Sequence, residues 1–176
     1  YFFLTKDLDA SGTENWGAKS TNPGFVPIGT ASQPFNGILD GKEHRITGLH
    51  VYLPSEDGVG LFGYLGSSGL VRNLGLDRVT VTGQNQAGGL VGVNQGTVER
   101  CYVQGGIAGM NSVGGLTGEN AGTVTESYAA AGLTGTSVGG LVGYDNNGYV
   151  STSFWDTTVS GTTYSGGGTG LLTHGM

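Results

Sequence analysis

Cysteine, proline and charge are all scarce in this chain, and each shortage removes a class of protein. The single cysteine, Cys101, allows no internal disulfide, so the fold must hold by packing. Such a lone thiol reads as a small buried residue. Only 4 prolines occur, and aliphatic and aromatic residues fall in every segment, which argues against a disordered linker. Charged residues make up 11%, and all 7 Lys and Arg lie at or before Arg100. A net charge of −6 has the wrong sign for a phosphate backbone or an anionic membrane, so nucleic acid is not expected as a partner. No apolar run approaches the length of a membrane span, and no membrane insertion is expected. The chain opens on Tyr1 in mid-strand, as a processed product or a piece of a longer protein does.

Glycine is abundant instead, with 37 residues and no collagen triplet. Its placement is periodic. Gly88-Gly89-Leu90-Val91-Gly92, Gly114-Gly115-Leu116-Thr117-Gly118 and Gly139-Gly140-Leu141-Val142-Gly143 recur at spacings of 26 and 25, after an earlier copy at Val59-Gly60-Leu61-Phe62-Gly63. A second phrase places Val71, Val98, Val124 and Val150 at spacings of 27, 26 and 26, and a third column is Ile107, Leu133 and Val159. Within one coil the apolar anchors Leu90, Val98, Ile107 and Leu116 are eight, nine and nine residues apart. Three nearly equal steps predict a three-sided coil of short strands, each about 15–20 Å long, with glycine at corners needing positive φ or close backbone approach. Stacked coils satisfy one another's strand edges. The expectation is an all-β, right-handed parallel β-solenoid forming one domain over 1–176. Its parts are an N-terminal capping coil over 1–37, stacked coils of about 26 residues over 38–160, and a closing segment over 161–176. Five coils begin near Ile38, Leu61, Leu90, Leu116 and Leu141, with Ile46 aligned on Val71 and His50 on Gly75.

The Gly-Gly-Leu-Val-Gly phrases resemble the GLUG repeat of bacterial surface proteins, which include filamentous-haemagglutinin-like adhesins and immunoglobulin-A-cleaving metallopeptidases. Tyr1-Phe2-Phe3-Leu4 with Asp7-Leu8-Asp9, Val26-Pro27-Ile28-Gly29 and Phe35-Asn36-Gly37-Ile38-Leu39-Asp40-Gly41 are similar to that family's lead-in. Ser153-Phe154-Trp155-Asp156, Gly166-Gly167-Gly168-Thr169-Gly170 and Met176 resemble its close. The resemblance implies an extracellular or cell-surface location and an architecture, not an activity. The peptidases' zinc motif has no counterpart here.

Catalytic patterns are missing. His44, His50 and His174 are scattered and not one helical turn apart, and no Gly-x-Ser-x-Gly elbow occurs. Glu99 and Glu126 sit beside a corner, where charge is solvated. Asp7-Leu8-Asp9-Ala10-Ser11-Gly12 begins like a calcium loop, but its twelfth position is Ala18 and not the bidentate Glu. Asp145-Asn146-Asn147-Gly148 reads as a turn. No catalytic group, metal site or cofactor is expected. A polysaccharide-active or sugar-binding solenoid is the second reading, favoured by any cleft with two or three ionisable groups on adjacent coils.

Two surface features are candidates for contact. If Leu74 and Leu76, Cys101 and Val103, Ser127 and Ala129, and Ser153 and Trp155 point inward, the residues between them point out. That column is His50, Gly75, Tyr102, Tyr128 and Phe154, a ladder of rings that either stabilises the stack or meets a glycan, a host surface or another protein. An ice-binding face would need regular outward threonines, and only Thr97 with Thr123 stack so. The ends form the other candidate: Tyr1, Phe2, Phe3 and Leu4 at one, Leu171 and Leu172 at the other, both uncharged. Unblunted strand edges of this kind invite end-to-end association of copies, unless flanking domains cover them.

Overall fold

The computed structural model describes residues 1–17 and 23–175. Ala18 and Met176, which entered the calcium-loop and closing-segment readings, lie outside them. The chain is an all-β parallel solenoid with three faces. The first is built from Phe62–Leu65, Val91–Asn94, Thr117–Asn120 and Val142–Asp145. The second runs from Phe2–Phe3 through Ile38–Asp40, Leu70–Arg72, Thr97–Glu99 and Thr123–Thr125 to Tyr149–Ser151. The third runs from Leu8–Asp9 through Arg45–Thr47, Gly75–Thr82, Tyr102–Ala108, Tyr128–Thr134 and Phe154–Asp156 to Thr169–Leu171, with His50–Tyr52 beside Gly75–Thr82. Four turns carry a strand on every face. The turn before them joins the first face only through bridges at Ile28 with Phe62 and Phe35 with Leu65.

The periodic columns stack inside the coil. Leu90, Leu116 and Leu141 are fully buried, and Leu116 N donates to Leu141 O at 2.9 Å while Leu90 N donates to Leu116 O at 3.0 Å. Val71, Val98, Val124 and Val150 are in direct register, and Leu39 extends their row. In the third row Ile107 pairs with Leu133, and Val81 and Val51 continue it. Val159 does not: it lies in the helical turn Thr157–Ser160 and is 44% exposed. Asp156 ends the strand there, its carboxylate accepting from Thr158 N and Val159 N, so the chain turns into a helix where a third-face strand was expected.

The glycines beside each leucine serve close approach, not positive φ. A Cβ on Gly114 would stand 1.9 Å from Thr117 O, and one on Gly140 1.9 Å from the Trp155 ring. The left-handed corners fall on other residues: Asn73, Arg100, Glu126 and Thr152, at φ of 51°, 50°, 49° and 47°, form one column between the second and third faces. Each costs roughly 1–2 kcal/mol in isolation and persists because the strands on both sides are fixed by the stack.

That corner corrects the register of the first turn. In later turns two residues, such as Asn73 and Leu74, join the second face to the third. In the first turn four do, Gly41 to His44, with Lys42 and Glu43 both left-handed. Leu39, not Ile46, therefore lies opposite Val71, and Ile46 lies opposite Leu76. The turn begins on the first face near Ile28, ahead of the expected Ile38. Residues 1–37 also do more than cap: Phe2–Phe3 and Leu8–Asp9 add a strand to two of the faces.

Candidate functional site

The outward column of the third face reads Arg45, Gly75, Tyr102, Tyr128, Phe154 and Thr169. The residues on either side of that column, Leu74, Leu76, Cys101, Val103, Ser127, Ala129, Ser153 and Trp155, are buried as the alternation requires. Tyr102 and Tyr128 stack with centroids 5.2 Å apart and planes at 8°. The Tyr102 ring lies over Gly75, where a Cβ would come within 2.4 Å of it. Both faces of Tyr102 are thus taken, one by backbone and one by Tyr128. Tyr102 thus presents its edge and phenol group to solvent, not an open ring face on which a sugar stacks, and Phe154 continues the column in register without stacking on Tyr128. Burial raises the Tyr128 phenol above its ordinary value, with Tyr102 and Asp77 adding to the effect.

His50 does not join the ladder. The longer first corner shifts it to a position opposite Thr80, where its ring stacks on Tyr52 at 6.4 Å and its backbone N–H donates to Thr13 Oγ1 at 2.9 Å. Arg45 takes the place assigned to it.

The two ends differ in build. Tyr1, Phe2 and Phe3 are exposed, and the half-buried Leu4 after them lines a cavity of about 390 Å³ that opens the core between Leu4, Leu39, Ile46 and Leu61. At the other end Leu171 is half-buried in the last strand and Leu172 is exposed.

Carboxylates are dispersed and mostly engaged. Asp7 accepts from Arg45 N and Arg45 Nε, with His44 Nδ1 3.2 Å away, and the Arg45 amide foremost among these holds it below the usual carboxylate range. Asp9 accepts from Ser11 N at 2.9 Å, a local turn. Glu99 and Glu126 flank Arg100, which bridges them across a corner. Asp145 accepts from Asn120 Nδ2 at 3.4 Å, and Asn147 turns the chain at φ 60°. Among the described residues no group of three or more His, Cys, Asp or Glu has a geometry that holds a metal ion. Burial pushes the Cys101 thiol up to about 12, so it carries no nucleophilic thiolate.

Three arrangements escaped sequence reasoning. Asn94 and Asn120 form a buried amide ladder, Asn94 Nδ2 donating to Asn120 Oδ1 at 2.8 Å. Their spacing of 26 and their place just before Gly96 and Gly122 were the available signal. Asp40, 1% exposed, is a hub that accepts from Tyr1 Oη, Lys42 N, Arg72 Nε and Asn73 Nδ2. Its burial favours the neutral acid, but the donors outweigh that and hold the carboxyl well below its ordinary range. An open cleft of about 560 Å³ on the first face, lined by Glu56, Asp57 and Tyr64 among others, is the third.

Among known proteins, the chain is 39% identical over 109 residues to the halomucin of Haloquadratum walsbyi, a match covering 58% of this chain and 1% of that protein. It is 36% identical over 107 residues to a Gly-rich membrane protein of Evansella cellulosilytica, covering 59% of this chain and 12% of that one. The match thus spans a small fraction of either relative. No helix among the described residues is long and apolar enough to cross a membrane. No family model and no solved structure matches the chain.

Proposed function

We propose that this chain is a non-enzymatic structural and adhesive module of an extracellular or cell-surface protein, of the kind its GLUG-like phrases suggest. The observation that carries the reading is the stack itself. From Leu61 onward, corner and face side chains meet their counterparts one coil away: leucine on leucine, valine on valine, Asn94 on Asn120, Tyr102 on Tyr128. A chain so organised is a rigid rod that displays surface and spaces what lies on either side of it. The relatives support this, since a similar stretch occupies a small part of much longer chains named for mucin and membrane. Its partners are further copies, flanking domains, glycans or a host surface, and it catalyses nothing. Antibodies against the folded chain should label intact cells of its source, and labelling only after permeabilisation would overturn the location.

End-to-end assembly belongs to the same proposal. The exposed Tyr1, Phe2 and Phe3 and the open cavity behind them give one end an apolar strand edge, and Leu171 with Leu172 gives the other its own. Light scattering of the purified chain should show association that grows with concentration, whereas a concentration-independent monomer removes the filament from the proposal.

A further inference from the structure

The loops that lead into the first face lie on its outer surface, each over a glycine of the next strand. A Cβ on Gly92 would meet Gly58 at 2.3 Å, on Gly118 would meet Gln86 at 2.4 Å, and on Gly143 would meet Ser112 at 2.4 Å. From Asp57 onward these loops are zipped together. Asn85 donates through N and Nδ2 to Asp57 Oδ1 at 3.1 and 2.8 Å, and Asn111 Nδ2 donates to Asn85 Oδ1 at 3.0 Å. The zipper stops there. In the first turn the chain instead bulges out between the Ile28 and Phe35 bridges and closes on itself through Thr30 and Gln33, and a cleft of about 560 Å³ opens between residues 26–31 and 53–58.

The cleft has a specific lining. Tyr64 forms its floor, its ring pinned beneath Gly58. One wall is apolar, with Val26 at 73% exposed beside Pro27. The other carries Glu56 and Asp57. Among the described residues neither the Tyr64 phenol nor the Glu56 carboxylate makes a hydrogen bond, and Asp57 engages Asn85 through Oδ1 alone. Burial, then the Asp57 and Glu119 carboxylates, keep the phenol proton on Tyr64, so it remains a donor.

We propose that this cleft binds a neutral saccharide unit. A sugar ring offers an apolar C–H face to Val26 and Pro27, and hydroxyls that donate to the carboxylates and accept from the phenol. Phosphate, sulfate or a uronic acid would meet Glu56 and Asp57 as like charges. Among the described residues Glu56 and Asp57 belong to no group of three or more His, Cys, Asp or Glu that could hold a metal ion. The site goes beyond the structural reading, which stands or falls on surface labelling.

Amide chemical shifts of the full chain, titrated with cello-, manno- and xylotetraose, test it, with tetragalacturonate and calcium chloride as controls. At least one neutral tetrasaccharide should shift amides of 26–31, 53–58 and Tyr64 saturably. Tyr64→Phe and Glu56→Gln should each weaken that binding about three- to tenfold, the loss of one hydrogen bond, with melting temperature unchanged. No response in the cleft, a response confined to Tyr102 and Tyr128, insensitivity to both variants, or preference for tetragalacturonate or calcium would each overturn the proposal.

Discussion

The coils from Gly88 to Asp156 and the first turn from Gly24 to Tyr52 have the same three faces but are held in different ways. In the regular coils cohesion is distributed. The apolar rows repeat one chemistry, so Leu116 is braced by Leu90 on one side and Leu141 on the other, and polar rows pair in the same way, Asn120 with Asn94 and Asp145. In the first turn it is concentrated: Asp40 gathers donors from the N-terminal strand, its own corner and the following coil. Repetition tolerates the loss of one polar contact but not a breach of the shared core, whereas a hub depends on a single ionised group.

Leu116→Asp tests the distributed side and has the largest expected effect. It places an unpaired charge in a fully buried row with neighbours above and below, at a cost above about 5 kcal/mol, and should abolish folding as read by circular dichroism. The matching change at the half-buried end, Leu4→Asp, should loosen only the first turn. Hydrogen exchange should then stay slow at Leu90, Leu116 and Leu141. Equal loss of protection throughout would mean that the two regions are one cooperative unit.

Asp40→Asn tests the hub. It leaves Arg72 facing a neutral amide and should cost about 3 kcal/mol at pH 7. The sign of the pH effect follows from the depressed carboxyl: its stabilisation is complete above the unfolded value of about 3.9 and is lost as pH falls below that. Denaturant unfolding between pH 6 and 2 should therefore show the native chain weakening steeply in acid and the variant following a flatter curve. The residual slope belongs to Asp156, held low despite its burial by Val159 N, Thr173 and Thr158 N, and to Asp7 and Asp9, held low by the Arg45 amide and by Ser11. Parallel curves would remove Asp40 from the role of hub.

The same contrast explains what the sequence made legible. Where a coil repeats, a spacing of 26 names the buried neighbour, and the rows of Leu90, Val98 and Ile107 could be read directly. The first corner holds two extra residues, and a spacing argument cannot see an insertion that leaves a hydrophobic residue in a plausible place; Ile46 aligned as well with Val71 as Leu39 does. His50 inherited that slip. Val159 failed for a local reason, since a capping carboxylate at Asp156 redirected a chain whose apolar period was intact. The cleft at Tyr64 was hidden because it exists only where two loops fail to zip, and its carboxylates share no period with later coils.

The aromatic ladder gives the smallest and most discriminating effect. Tyr102 and Tyr128 lie in the distributed region, so their stacking should behave as one more like-on-like contact, worth about 0.5–1.5 kcal/mol beyond the area it buries. Tyr102→Ser with Tyr128→Ser should lower the melting temperature by several degrees, roughly 2–4 °C per kcal/mol for a chain of this size. A double-mutant cycle should show the two costs to be coupled, because the first substitution already removes the partner of the second. Glycan binding should be unchanged in the same variant, since Gly75 and Tyr128 occupy both faces of the Tyr102 ring and Tyr102 occupies one face of Tyr128. The opposite pattern, an unchanged melting temperature with binding abolished, would make the ladder a recognition strip. It would also show that outward side chains of the regular coils do more than hold the stack together.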